Sequence, residues 1–183
     1  MLISFIMKLR LWREDNMNSE LRKKIYKQGM ENEAKYGGCA QCVLLTLSQT
    51  ALDIPAEVIK SATGLMAGGV RSGNSCGAFS GALMAISCVV GRPADRMDDK
   101  TYVAKTAEPG RKLYQKFMDE YGTVLCRDIQ YKIMGKSYRM YDPEDMKRFL
   151  ADGGHDDKCT AVVAKACIWV LEVLEECDIM HFE

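Results

Sequence analysis

The sequence predicts an all-α, single-domain bundle of about six to eight helices. Three observations carry this. Apolar residues recur at spacings of three and four, and strand-like alternation is nearly missing. Gly, Pro and Asp punctuate the pattern where helices should stop and start. The 183 residues, 48% apolar and 27% charged, suit one globular unit with a real core.

Residues 1–17 read as a loose or mis-assigned N-terminal extension, and residues 18–183 as the helical domain. The stretch 1–7 (MLISFIM) has no basic residue before it and no small-residue cleavage site after it. It is a poor secretory signal and too short to span a bilayer. The expectation is a cytoplasmic protein with no membrane contact.

The first helix is expected over residues 19–36, charged, with Leu21, Ile25 and Met30 as a sparse apolar stripe. Gly37-Gly38 breaks it. A second begins at Cys39, with Ala40, Val43, Leu44, Leu47 and Ala51 on one face. Pro55 opens a short third. Residues 64–75 (GLMAGGVRSGNS) form a loop with four glycines. It feeds a nearly all-apolar helix over 76–90, the expected centre of the domain. Gly77, Gly81 and Ala85 leave one face of that helix small, so a neighbouring backbone can come close.

After a polar connector, a long helical stretch runs to Tyr121, with Leu113, Tyr114, Phe117 and Tyr121 on one face. Pro109-Gly110 should kink or divide it, and Gly122 should end it. Another short helix starts at Cys126. Asp142-Pro143 marks the next start, as N-cap and first position, and Gly153-Gly154 its end. The last helix is expected over 157–176, with Cys159, Val163, Ala166, Val170 and Leu174 as its stripe.

Lysine plus arginine equals aspartate plus glutamate, 25 each, which argues against a nucleic-acid surface. The Gly-rich loop lacks a GK[ST] ending and follows no strand, so nucleotide binding is poorly supported. With two histidines, hydrolase chemistry has little to work with. Twelve scattered methionines read as core filling.

Eight cysteines in a reducing compartment suggest metal binding or redox chemistry. Cys39, Cys76, Cys126 and Cys159 each fall at the first turn of a different expected helix. The helix dipole and unpaired N–H groups there favour thiolate, the form that binds metal and attacks disulfides. The unequal gaps are not those of a zinc ribbon. Arg71 and Arg127 are candidates for stabilising thiolate or cluster charge. Cys42 makes a CxxC with Cys39, as an extra ligand, a resolving thiol or a small buried hydrophobe. Cys88, Cys167 and Cys177 read as ordinary thiols, Cys88 within the apolar helix. His155 reads as a solvated loop residue, though it could reach the site.

The ordered set Cys39-Ala40-Gln41, the GG-x-R-x-G-x-x-CGA-x-x-G run over 68–81, Cys126-Arg127-Asp128 and Lys158-Cys159 resembles the C_GCAxxG_C_C family of putative redox-active proteins. The resemblance covers residues 36–174. It implies a redox role for Cys39, Cys76, Cys126 and Cys159, with Gly77 in the CGAxxG element, but no substrate. The chain also looks similar to the cysteine-bearing part of split-Soret cytochromes, where an iron–sulfur centre would be a natural reading. It has no CxxCH, so covalent c-type haem is excluded by that motif. Two mechanisms stay open: an iron–sulfur cluster with four thiolate ligands, or dithiol/disulfide exchange. The alternative is a structural zinc module without redox turnover. The expected partner is a redox protein of unknown identity, and a homodimer is suggested by analogy with cluster sites at contact surfaces.

Overall fold

The computed structural model describes residues 17–182. Apart from Met17, the expected N-terminal extension lies outside the described residues. Eight α-helices follow in order: α1 Ser19–Tyr36, α2 Cys39–Thr50, α3 Ala56–Ser61, α4 Gly77–Val90, α5 Thr101–Tyr121, α6 Cys126–Met134, α7 Pro143–Ala151 and α8 Cys159–Glu176. Among the described residues there is no strand, only a single antiparallel bridge between Ser75 and Leu125. The fold is all-α, as the periodicity predicts. No helix of the described residues is long and apolar enough to cross a membrane.

The centre of the bundle is α8, rather than the apolar helix α4. Val163, Ala166, Val170 and Leu174 are fully buried, and α1, α2, α4 and α5 all pack on α8. Eleven residues of α8 are buried against seven of α4, which exposes Ser87 and Cys88. Cys88, read as an ordinary thiol within the apolar helix, is thus exposed rather than buried with its neighbours.

Small residues set the closest crossings. A Cβ on Gly29 of α1 would lie 2.9 Å from the Ala164 Cα of α8. A Cβ on Gly81 of α4 would lie 2.8 Å from the Ala40 Cα of α2. Both helices thus meet backbone to backbone, and the dispersion attraction across each crossing offsets glycine's lower helix propensity of about 1 kcal/mol. The second crossing lays the start of α2 across the start of α4. On the far side, Phe79, Phe117 and Trp169 stack edge-to-face at 5.2 and 5.0 Å, joining α4, α5 and α8.

Helix α5 runs unbroken through Pro109, so of the expected kink or division the division does not occur, and Tyr114 is exposed rather than on the buried face. Proline removes one intrahelical donor and frees the carbonyl four residues earlier. That residue, Lys105, is exposed, so water can satisfy the carbonyl while Pro109 joins Leu113, Phe117 and Tyr121 on the buried face. Gly122 ends the helix at φ +74°, as expected. Asp142 caps α7 by accepting from the Glu144 and Asp145 N–H groups at 2.9 and 3.1 Å, with Pro143 first in the helix.

The last helix starts two residues later than expected. A single π turn, Gly154–Lys158, intervenes between α7 and Cys159. Such turns recur at functional sites. Here it brings His155 inward against the Phe149 ring, edge-to-face at 5.2 Å.

Candidate functional site

Each of the four cysteines stands at a helix start, delivered by its own local device. Gly37 and Gly38, at φ +63° and +82°, turn the chain from α1 into Cys39. L-residues rarely adopt that backbone, and glycine does so freely. Cys76 is the N-cap residue of α4. Cys126 opens α6 and Cys159 opens α8.

The antiparallel bridge joins two of these devices. The Cys76 N–H donates to the Val124 carbonyl at 2.8 Å, and the Cys126 N–H to the Asn74 carbonyl at 2.6 Å. The Arg127 N–H reaches the Gly73 carbonyl at 3.1 Å. Cys76 and Cys126 each follow the bridged pair Ser75–Leu125 by one residue, so they lie on the same face of this short ladder.

Upstream, five successive residues adopt left-handed backbone: Ala67, Gly68, Gly69, Val70 and Arg71, at φ from +42° to +86°. Ala67, Val70 and Arg71 are strained there by about 1 kcal/mol or more each. Hydrogen bonds hold the turn, among them Val70 N–H to Gly64 carbonyl at 2.8 Å and Gly73 N–H to Ala67 carbonyl at 3.0 Å. The turn aims the Ala67 N–H at the Cys39 sulfur, where it favours the thiolate.

Cys39, Cys76, Cys126 and Cys159 all line one cavity of about 370 Å³. Glu33, His155, Gln130, Met66, Met140, Met146 and Phe149 share its walls, and Arg71 lies at its exposed edge. Among the described residues, no three His, Cys, Asp or Glu side chains converge as a site for a single metal ion. All eight cysteines are free thiols.

The expectation of ready thiolates is corrected. Burial pushes the Cys76 and Cys126 thiols up to about 12, and raises Cys39 and Cys159 above the ordinary range as well. Mutual repulsion adds to this: Cys39 feels Cys76, Cys76 feels Cys126, and Cys159 feels all three. Helix N-termini do act as argued, since the Ala78 and Phe79 N–H groups lower Cys76. Desolvation is the larger effect and wins.

The supporting residues divide. Arg71 lines the cavity. Gly77 lies beside Cys39, whose sulfur occupies the space a Cβ would need. Arg127 is exposed, pairs with Asp128 at 3.7 Å and does not line the cavity. Cys42 also lies outside the lining. Its buried thiol donates to the Gly37 carbonyl at 2.9 Å and the Asn32 carbonyl at 3.5 Å, closing the end of α1. Cys167 is buried against the Val43 carbonyl.

His155 is not a solvated loop residue. It faces the cavity, with Nε2 3.6 Å from Glu33 Oε1. Glu33 is 2% exposed, and its Oε2 is a buried polar atom without a hydrogen-bond partner. Burial raises its carboxyl to about 7, with the Cys42 thiol acting the other way. The residue-level reading missed Glu33. Its signal was its place at a spacing of four after Ile25 and Gly29, a carboxylate on the buried stripe of α1.

No curated protein and no solved structure matches the chain significantly. The sequence profile of the putative redox-active proteins called C_GCAxxG_C_C matches residues 38–173, which takes in all four cavity cysteines. On that match over most of its length, the chain belongs to the C_GCAxxG_C_C family of putative redox-active proteins.

Proposed function

We propose that this protein transfers electrons through an iron–sulfur cluster held by Cys39, Cys76, Cys126 and Cys159. The observation that carries this reading is four thiols from four separate helix starts around one cavity of about 370 Å³. Four cysteine thiolates are the usual ligand set of a two-iron or four-iron cluster.

The electrostatics favour the same reading. The four thiols, two of them buried and two half-buried, repel one another once ionised, and the main charges acting on them include no lysine or arginine. They become thiolates together only when cationic metal neutralises them, since a coordinated thiol loses its proton outright. A single zinc ion needs its thiolates about 2.3 Å from one point. Among the described residues no three such side chains converge on one point.

When bound, the cluster would supply reversible one-electron chemistry. The chain's own part is to shield and tune it. Met66, Met140, Met146 and Phe149 keep water from the cavity walls. The amides of Ala67, Ala78 and Phe79 point at ligand sulfur, and such hydrogen bonds stabilise the reduced state. Its partner would be a redox protein in the cytoplasm.

One observation favours dithiol/disulfide exchange as a second reading: Cys76 and Cys126 share a face of the Ser75–Leu125 ladder. Thiols raised to about 12 are poor attacking groups at neutral pH, which ranks it below the cluster. Purification without oxygen, with iron, sulfide and zinc analysis and a visible spectrum, separates the readings. Brown protein with matched iron and sulfide, lost in Cys76→Ser and kept in Cys177→Ser, is the expected result. Colourless protein with stoichiometric zinc, or metal-free protein that reversibly loses two thiols, overturns it.

A further inference from the structure

We propose that Glu33 and His155 form a proton port for the cysteine site: when the site gains an electron, the Glu33 carboxylate takes up a proton that arrives through His155. This rests on the electron-transfer reading above. The step balances simply. One electron enters from an external reductant, one proton moves from solvent onto the carboxylate, and no bond to carbon or sulfur is made or broken. Reoxidation returns both.

Geometry carries the proposal. Among the described residues, Glu33 is the one carboxylate lining the cavity that holds the four cysteines. Its Oε2 is buried without a hydrogen-bond partner, a costly arrangement that structure keeps only for a reason. The other oxygen lies 3.6 Å from His155 Nε2. His155 is held by the π turn and by the Phe149 ring, and keeps 26% of its side chain exposed, so it spans from the carboxylate to solvent.

The charges around Glu33 point the same way. From α2, Cys39 and Cys42 face it; Cys76, Cys126 and Cys159 face it from the starts of α4, α6 and α8. From the π turn comes His155, with Asp156 behind it. His155 is its sole ion-pair partner among the described residues. Among the described residues the one fixed cation on the lining is Arg71, at the exposed edge where water screens it, so a proton on the buried Glu33 is the least costly compensation for negative charge added at the cysteines. Burial has already raised this carboxyl to about 7, so a further rise falls within the working pH range.

The test has two arms. In metal-free, reduced protein, carbon NMR of the Glu33 carboxyl should show it titrating near neutrality. Titration in the ordinary range near 4 overturns the proposal. In protein carrying its cluster, the midpoint potential should fall by about 59 mV per pH unit above the carboxyl's titration, the value for one proton per electron. Glu33→Gln should lose that slope, and Glu33→Asp should restore part of it. A wild-type potential independent of pH, or a slope retained in Glu33→Gln, overturns the proposal. His155→Gln should keep the equilibrium slope but slow reduction severalfold; an unchanged rate removes His155 from the path. Protein without iron and sulfide sinks the cluster reading instead, and the port is then judged by the first arm.

Discussion

The Cys39 sulfur occupies the space where a side chain on Gly77 would begin. Ala or any larger residue at 77 would overlap that sulfur and bring its Cβ within 2.8 Å of the Leu65 carbonyl. The glycine that follows Cys76 is thus part of the packing that lets two cysteines approach the same cavity. It has no role in turning the chain, because it opens α4 without the positive φ that only glycine adopts freely.

Gly77→Ala should therefore destabilise the protein by about 1–3 kcal/mol, the range for overpacking against fixed atoms, and, on the proposed cluster reading, lower the iron bound. Gly81→Ala should cost a similar amount, since its Cβ would meet the Ala40 backbone. Gly110→Ala is the control. Its Cβ would touch only the Leu83 Cδ2 methyl at 3.4 Å, so it should be neutral or add up to about 1 kcal/mol. Urea unfolding of the three variants checks the order. Equal effects at 77 and 110 would remove the packing argument.

Thiol reactivity should follow burial rather than helix position. At pH 8 a thiol of pKa about 12, as for Cys76 and Cys126, carries roughly a thousandfold less thiolate than an ordinary cysteine. Cys88 is exposed at the other end of α4. Brief alkylation of metal-free native protein, read by peptide mass, should label Cys88 first and leave the cavity four intact until the chain is unfolded. Early labelling of Cys76 would contradict the assigned burial.

The bundle was legible in the sequence because its signals are local. Spacings of three and four, the Asp142-Pro143 start and the Gly122 stop each act within a turn or two. The four site cysteines were legible as a motif, and their helix-start positions as punctuation. What could not be read was how the starts meet. A single bridge at Ser75–Leu125 leaves no alternation to detect. The thiolate expectation failed for a related reason: dipole and N–H effects are local, but desolvation depends on which helices close over the sulfur. His155 was judged from its acidic neighbours Asp156 and Asp157, and the π turn that swings it inward has no clear sequence mark. Glu33 was hidden by the charged composition of α1, although its stripe position was visible.

Helix α7 supplies Met146 and Phe149 to the cavity wall, so its cap bears on the site. Asp142→Ala removes both capping bonds, to Glu144 and Asp145. The expected loss is about 1 kcal/mol. Hydrogen exchange should show faster opening in residues 143–151 than in α8. Asp142→Asn should recover most of the stability; failure to do so would assign the effect to charge rather than to the cap.

Glu33 makes a signed prediction for stability against pH. Its carboxyl titrates near 4.5 unfolded and is raised to about 7 when folded. Between those values the folded chain binds more protons than the unfolded one. The stability this gives is therefore complete below about 4.5 and lost as pH rises through about 7. A shift of that size corresponds to about 3 kcal/mol. His155 acts the opposite way, because its folded pKa is lowered and acid must charge a half-buried ring. The thiols enter only at higher pH, as their unfolded counterparts ionise. Comparing wild type with Glu33→Gln isolates the carboxyl. The variant's advantage in urea unfolding should grow by up to about 3 kcal/mol between pH 4.5 and pH 8. A difference that stays constant over that range would mean Glu33 is already ionised in the folded protein.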